Sequence, residues 1–289
     1  MTYLLLAIIC SAIIPNIFRF GEQHDINQPV VITVNYAFAS LILLITLLFS
    51  GLGQYIMDLG KISINEHSVF LAIIIGIITG IFYYGGFYYY QKSVFMSGPS
   101  IATAFGKIGI IIPMILSIII WKEVPNIIQW FGVVISLGAI LIMAINLKEI
   151  KLNDIHVVLI FLFLFTGLGS FTNKVFQKYC MIQHNQIFLW VLFTTALVIS
   201  LKETRMVKEK KKWDYYIGMM VGIPNILSSY FLIQALNNLT AVVVFPLLSG
   251  GTIIGASLIS AVVFKERLKS KEYIGIGMMI VAVMLINYA

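Results

Sequence analysis

Charge is what this sequence has least of. Only 11% of its 289 residues are Asp, Glu, Lys or Arg, and 60% are hydrophobic, whereas a soluble domain carries about 25% charged residues. With a mean hydropathy of +0.98, the composition excludes a soluble globular protein and calls for an integral membrane one. Cysteine is scarce too. Cys10 and Cys180 lie on or beside apolar segments in different halves of the chain, which leaves no disulfide framework. His24, His67, His156 and His184 all fall in loops or at helix ends, so neither a metal-ligand spacing nor a proton-relay histidine is evident. No glycine-rich phosphate loop of an ATP-driven pump is present. The longest polar insertions, GLGQYIMDLGKISINEHS and KETRMVKEKKKWD, are loops, too short to fold as a catalytic domain. An enzyme is not expected and no cofactor is implied.

What the chain does have is apolar length. A helix needs about 20 apolar residues to cross a hydrocarbon core, and ten runs meet that need, near 3–22, 30–51, 68–94, 98–121, 126–146, 155–180, 185–201, 214–236, 240–264 and 271–288. The first, TYLLLAIICSAIIPNIF, has neither a basic leader nor a convincing cleavage site, and reads as a retained helix rather than a signal peptide.

The runs repeat. Shifted by 143 residues, Gln91 falls on Gln234, Ser117 on Ser260, Lys122-Glu123 on Lys265-Glu266, and Gly132 on Gly275. Over the first two helices of each half the register widens, with Asn16 opposite Asn173. Five crossings is an odd number, so the second copy enters the membrane from the opposite side. The expected fold is therefore all-α, with ten transmembrane helices in an inverted 5+5 repeat: residues 1–150 form the first unit and 151–289 the second. The interface between such units is the expected place for a substrate site.

The ends of the two units carry a likeness. SIATAFGKIGIIIPMILSIIIWKEVPNIIQWFGVVISLGAILI and TAVVVFPLLSGGTIIGASLISAVVFKERLKSKEYIGIGMMIVAVMLI each hold a helix rich in small residues with an internal proline, Pro113 or Pro246. An acidic residue follows just past its end, then a glycine-bearing final helix. In these features the chain resembles the drug/metabolite transporter superfamily, in its ten-helix EamA-like branch, over essentially its whole length. The resemblance implies a multi-pass secondary transporter of the plasma membrane, of the bacterial inner-membrane kind, with a small-molecule substrate. It chooses no substrate, because the family's range covers amino acids, nucleotide sugars, phosphorylated sugars, choline and drugs. Lys107 departs from much of the superfamily, though it resembles a lesser-known branch with a lysine there.

Cations in the loops are lopsided. Of the 19 Lys and Arg residues, 13 lie in odd-numbered loops and three, Lys61, Lys122 and Lys178, in even-numbered ones. The positive-inside rule then puts the odd loops in the cytoplasm and both termini outside, against the habit of many superfamily members. The KEKKK stretch suits anionic lipid headgroups of the bilayer better than nucleic acid.

The remaining cations, Arg19, Lys107 and Lys174, fall inside apolar runs, where a charge at the bilayer centre costs about 2.5–3.5 kcal/mol on the mildest scale. Lys107 is about ten residues into its helix, roughly 15 Å deep, too deep to snorkel easily. Polar residues share faces with these cations. Ser100, Thr103 and Lys107 line up on the fourth helix, Asn16 and Arg19 on the first, and Thr166, Ser170, Asn173 and Gln177 run beside Lys174 on the sixth. Tyr84, Tyr88 and Gln91 stripe the third, and Asn225, Ser228 and Ser229 follow Pro224 on the eighth. For single Asn or Ser residues, interhelical bonding is the plainer role. Arg19 can instead snorkel or pair with Glu22, Lys174 can snorkel, and Lys107 can be a neutral lysine bonded to carbonyls near Pro113. Gly76/Gly80 and Gly251/Gly255 read as close helix contacts, and Gly85-Gly86, Pro15, Pro113, Pro224 and Pro246 as kinks.

Buried cations without carboxylates favour an anion, and no membrane carboxylate sits at the midplane to exchange a proton for a cationic drug. The leading expectation is a secondary-active transporter whose cavity uses Lys107, helped by Lys174 and Arg19, to hold a carboxylate- or phosphate-bearing metabolite, anionic or zwitterionic. Asn16, Asn35, Asn173, Asn225, Ser249 and Tyr88 complete the expected site, and a coupling proton or counter-substrate is a further expected partner. Two other readings stay open: an exporter of lipophilic or zwitterionic compounds with Lys107 structural or proton-exchanging, and a non-transporting scaffold or lipid-handling protein.

Overall fold

The computed structural model describes residues 1–50, 69–144, 157–265, 268 and 270–288. The described elements are α1 (Thr2–Glu22), α2 (Gln28–Ser50), α3 (Val69–Ser97), α4 (Pro99–Ile108), α5 (Ile111–Trp121), α6 (Ile127–Ala144), α7 (Val157–Tyr179), α8 (Asn185–Met206), α9 (Lys212–Asn238), α10 (Ala241–Val263) and α11 (Ser270–Tyr288). A 3-10 turn, Ile182–His184, leads into α8. In hydrocarbon every backbone donor needs an internal partner, which is why apolar runs of this length become helices. By length and composition eight spans are fit to cross a membrane, with α4 and α5 counted as the single span Ile101–Trp121, and Ile127–Met143 is a shorter apolar helix. With α11 as the last, the eleven helices among the described residues occupy ten positions. Phe49, Phe95 and Val262 stand almost fully exposed on the outside, the face that lipid covers.

Packing obeys a two-fold rule when the ten positions are numbered along the chain. The first packs on the eighth as the third packs on the sixth, the third on the seventh as the eighth on the second, and the first on the ninth as the sixth on the fourth. The second and seventh pair across the axis, and so do the fifth and tenth. The backbone repeats as well. Lys122 and Lys265, one repeat apart, both take left-handed φ values of 56° and 55°; at Lys122 this conformation closes α5, its N–H donating to the Ile118 carbonyl. The duplicated Lys-Glu pair thus marks a helix stop. The boundary between residues 150 and 151 lies outside the described residues. So do Lys61, His67, Lys148, Lys151, His156, Glu266, Arg267, Lys269 and the side chain of Ser100.

One detail differs from the sequence reading, and the candidate kinks other than Pro113 fall inside continuous helices. The helix expected to end near 201 continues to Met206, so Lys202, Glu203 and Arg205 are helical rather than in a loop. Gly85 and Gly86 sit inside an unbroken α3, where bulky neighbours fill the space beside them: Phe165 against Gly85 and Thr166 against Gly86. Helices run through Pro15, Pro224 and Pro246; only ahead of Pro113 does the helix divide. The two GxxxG pairs are contacts, as expected. A Cβ at Gly80 would lie 2.6 Å from the Leu192 carbonyl, and Gly251 and Gly255 meet Ile8 and Ala12 of α1.

Candidate functional site: a polar layer at the midplane

Tyr83 is the central residue of the 29-residue α3, and Asn225 of the 27-residue α9. Both helices cross the bundle, so their middles mark its midplane. The Asn173 amide donates to the Tyr83 hydroxyl at 3.3 Å and to its own helix at the Gly169 carbonyl, 2.9 Å. Ser229, one turn beyond Asn225, is a further partner of Tyr83. The Asn225 amide donates to Asn35 Oδ1 at 3.2 Å, and Tyr36 beside it lies near Tyr83 and Tyr84. Four crossings, the second, third, sixth and eighth, thereby join in one polar layer drawn from both halves. Asn173 Oδ1 and Gln177 Oε1, one turn apart on α7, are buried without a hydrogen-bond partner. Buried acceptors are nearly always satisfied, so these two call for water or a ligand donor.

Lys107 occupies the last turn of α4, near the middle of the fourth crossing. Pro113 has no N–H to offer the Gly109 carbonyl. That carbonyl accepts instead from Ile112 N at 3.0 Å, and the Lys107 carbonyl from Ile110 N at 3.4 Å. These three-residue bonds tighten the chain and divide α4 from α5. The break is pinned to α7: a Cβ at Gly109 would lie 2.4 Å from Thr166 Oγ1, and one at Gly167 only 2.5 Å from the Gly109 carbonyl. The same helix that carries Asn173 thus holds the break beside Lys107. Lys107 is partly buried, and its ammonium has neither a hydrogen bond nor an ion pair among the described residues.

The structure does not gather the three helical cations around one point. Lys174, 2% exposed, pairs with Glu123 Oε1 at 2.8 Å, and Lys178 approaches the same oxygen at 3.7 Å. The other oxygen, Oε2, accepts the backbone N–H of Ala241 at 2.9 Å, at the start of α10, where a carboxylate also meets the positive end of the helix dipole. One carboxylate therefore ties the fourth, sixth and ninth crossings together at the end where even-numbered loops lie. Arg19 belongs to the opposite end. It donates to Ser260 Oγ at 2.7 Å and lies over the Phe264 ring at 5.0 Å. Asn16 bonds the Ala12 and Ala256 carbonyls, the helix-gluing role. Ser249 is buried in α10, and Tyr88 lines a pocket at the odd-loop end rather than the midplane.

Gly250 is the repeat counterpart of Lys107. A Cβ there would stand 1.6 Å from the Met279 Cε, because that methionine fills the space a side chain would need. The reading from sequence passed over Tyr83 and Glu123. Tyr83 lies in the tyrosine-rich run FYYGGFYYYQ, which offers no way to pick the one at the centre of the helix. Glu123 was visible as half of a repeated Lys-Glu pair, without any sign that Lys174, 51 positions further along the chain, would meet it.

The model of the EamA-like transporter family matches residues 1–145, half of the chain. This chain belongs to the EamA-like transporter family. A second model, that of the Small Multidrug Resistance protein, matches residues 188–279. This transporter also shares its fold with a protein of known crystal structure at a TM-score of 0.77, 10% identity, and coverage of 99% of this chain and 96% of the other. None of the curated proteins matches it. It is a multi-pass integral membrane protein, and membership of a transporter family supplies a small-molecule substrate and a lipid environment.

Proposed function

We propose that this protein is a secondary-active transporter that moves a small anionic or zwitterionic metabolite by alternating access through the midplane layer. The observation that carries the reading is the unpartnered Lys107 ammonium beside a helix break. A cation at that depth without a counter-charge costs free energy, and a carboxylate or phosphate arriving from solution relieves it. Asn173, with its unused acceptor, together with Asn35 and Asn225, bonds the remaining polar groups of the substrate. Lys174 and Arg19 act at the two ends, where each ties crossings of both halves together. Closure at the even-loop end by Glu123 is reinforced by Trp121, whose indole donates to the Tyr179 hydroxyl at 3.2 Å. Rocking of one half against the other requires this cluster to part once per cycle.

The test is counterflow of small carboxylates and phosphate esters in proteoliposomes. Lys107→Ala is expected to lower their flux by tenfold or more, about 1.4 kcal/mol of lost interaction, with unaltered melting temperature. Wild-type flux for every such solute removes the lysine from the mechanism. The match to the Small Multidrug Resistance model favours a second reading, export of lipophilic compounds. Competition by amphipathic cations, with indifference to anions, would select it.

A further inference from the structure

The continuation of α8 to Met206 places Glu203 in the wall of the bundle, at the end that holds the basic odd-numbered loops. There it shares a pocket of about 370 Å³ with Tyr88, Gln91, Lys92 and Met206, a volume at the small end of the range for metabolite sites. Glu203 comes from the seventh crossing and Lys92 from the third, and no ion pair joins them. Tyr84, one turn deeper than Tyr88, faces the Glu203 carboxylate. The Tyr84 and Tyr88 rings stack with centroids 6.4 Å apart and 26° between planes. Tyr36 lies near both Tyr84 and Tyr83, so phenols continue from this mouth to the midplane layer.

We infer that this pocket is a docking site for a zwitterion, which sets its ammonium group against Glu203 and the Tyr88 ring and its anionic group against Lys92. The inference rests on the transport reading above and narrows its substrate class from anions in general to zwitterions. The charge pattern favours this choice. A simple anion that reaches Lys92 meets the Glu203 carboxylate in the same small space, and a simple cation that reaches Glu203 meets Lys92. Like charges brought together in one pocket, open to solvent on the Lys92 side, disfavour both. A molecule with one charge of each sign satisfies both walls, and a tyrosine face adds attraction for the ammonium end.

Calorimetric titration of the full-length protein in lipid nanodiscs with glycine betaine, tetramethylammonium and acetate tests the assignment. Glycine betaine should bind at least about tenfold more tightly than either singly charged probe. Glu203→Gln should weaken it about tenfold or more, and Lys92→Gln should weaken betaine while improving tetramethylammonium. Melting temperatures read beside each titration identify a variant that has merely misfolded, and Glu203→Asp then replaces it, with partial retention of betaine binding expected. Absence of betaine binding, acetate binding equal to betaine, or a Glu203→Gln affinity within twofold of wild type overturns the inference. Loss of the transport reading looks different: wild-type liposomes show no counterflow of any charged solute while the betaine titration is intact.

Discussion

The fourth and ninth crossings occupy equivalent places in the two halves and have been put to different uses. In the fourth, the chain divides ahead of Pro113 and leaves Lys107, beside the break, without a partner among the described residues. In the ninth, α10 runs through Pro246 without interruption, and the place of the lysine is taken by Gly250 with Met279 packed into the gap. A proline alone therefore does not break a helix in this bundle. Under the 143-residue shift Pro113 falls on Ala256, so the ninth crossing has no proline at the equivalent place, while in the fourth Gly109 and Gly167 bring α7 so close that the tightened turn is held in place.

Four substitutions probe that comparison. The largest effect is expected from Glu123→Gln, which leaves Lys174 buried without its counter-charge. Breaking a buried pair from one side costs about 3–5 kcal/mol, which a thermal melt in detergent would show as a large fall in melting temperature. Gly250→Lys makes the fourth and ninth crossings alike at this one position and should cost about 2.5–3.5 kcal/mol, the penalty for a charge at a helix centre, since Met279 leaves it no room. A melting temperature equal to wild type would mean that the ninth crossing has space for a charge after all. Gly109→Ala comes next. Its methyl would press on Thr166 and the Phe163 carbonyl, an overpacking cost of about 1–3 kcal/mol, and counterflow should slow as the break shifts. Smallest is Pro113→Ala, which returns an N–H to the Gly109 carbonyl. Amide exchange near residues 107 to 113 should become slower, with stability changed by about 1 kcal/mol or less.

Much of this was legible in the chain. The apolar runs gave the crossings, because these depend on composition and spacing alone, and the repeated Lys-Glu positions foretold that Lys122 and Lys265 share one backbone conformation. The stripe Asn225, Ser228, Ser229 and the residues Asn35 and Asn173 led to the midplane layer, since helical periodicity places such residues on a face. What the chain withheld depends on meetings between distant segments. Nothing near Lys174 in sequence announces Glu123, so a cation that reads as short of partners turns out to be paired. Glu203 reads as part of a charged loop, because the KETRMVKEKKKWD stretch carries no apolar period; packing of α8 against α2 and α3 keeps that last turn helical. The position at 250 reads as a plain glycine until Met279 is seen beside it.

The central claim is that the charge on Lys107, present in one half only, gives the midplane site its choice of ligand. Its most direct test is the affinity of purified protein for a small carboxylate and for the uncharged amide of the same shape, compared between wild type and Lys107→Gln. The account predicts that wild type prefers the carboxylate by about tenfold or more and that the substitution abolishes this preference at unchanged melting temperature. An undiminished preference in Lys107→Gln would contradict it.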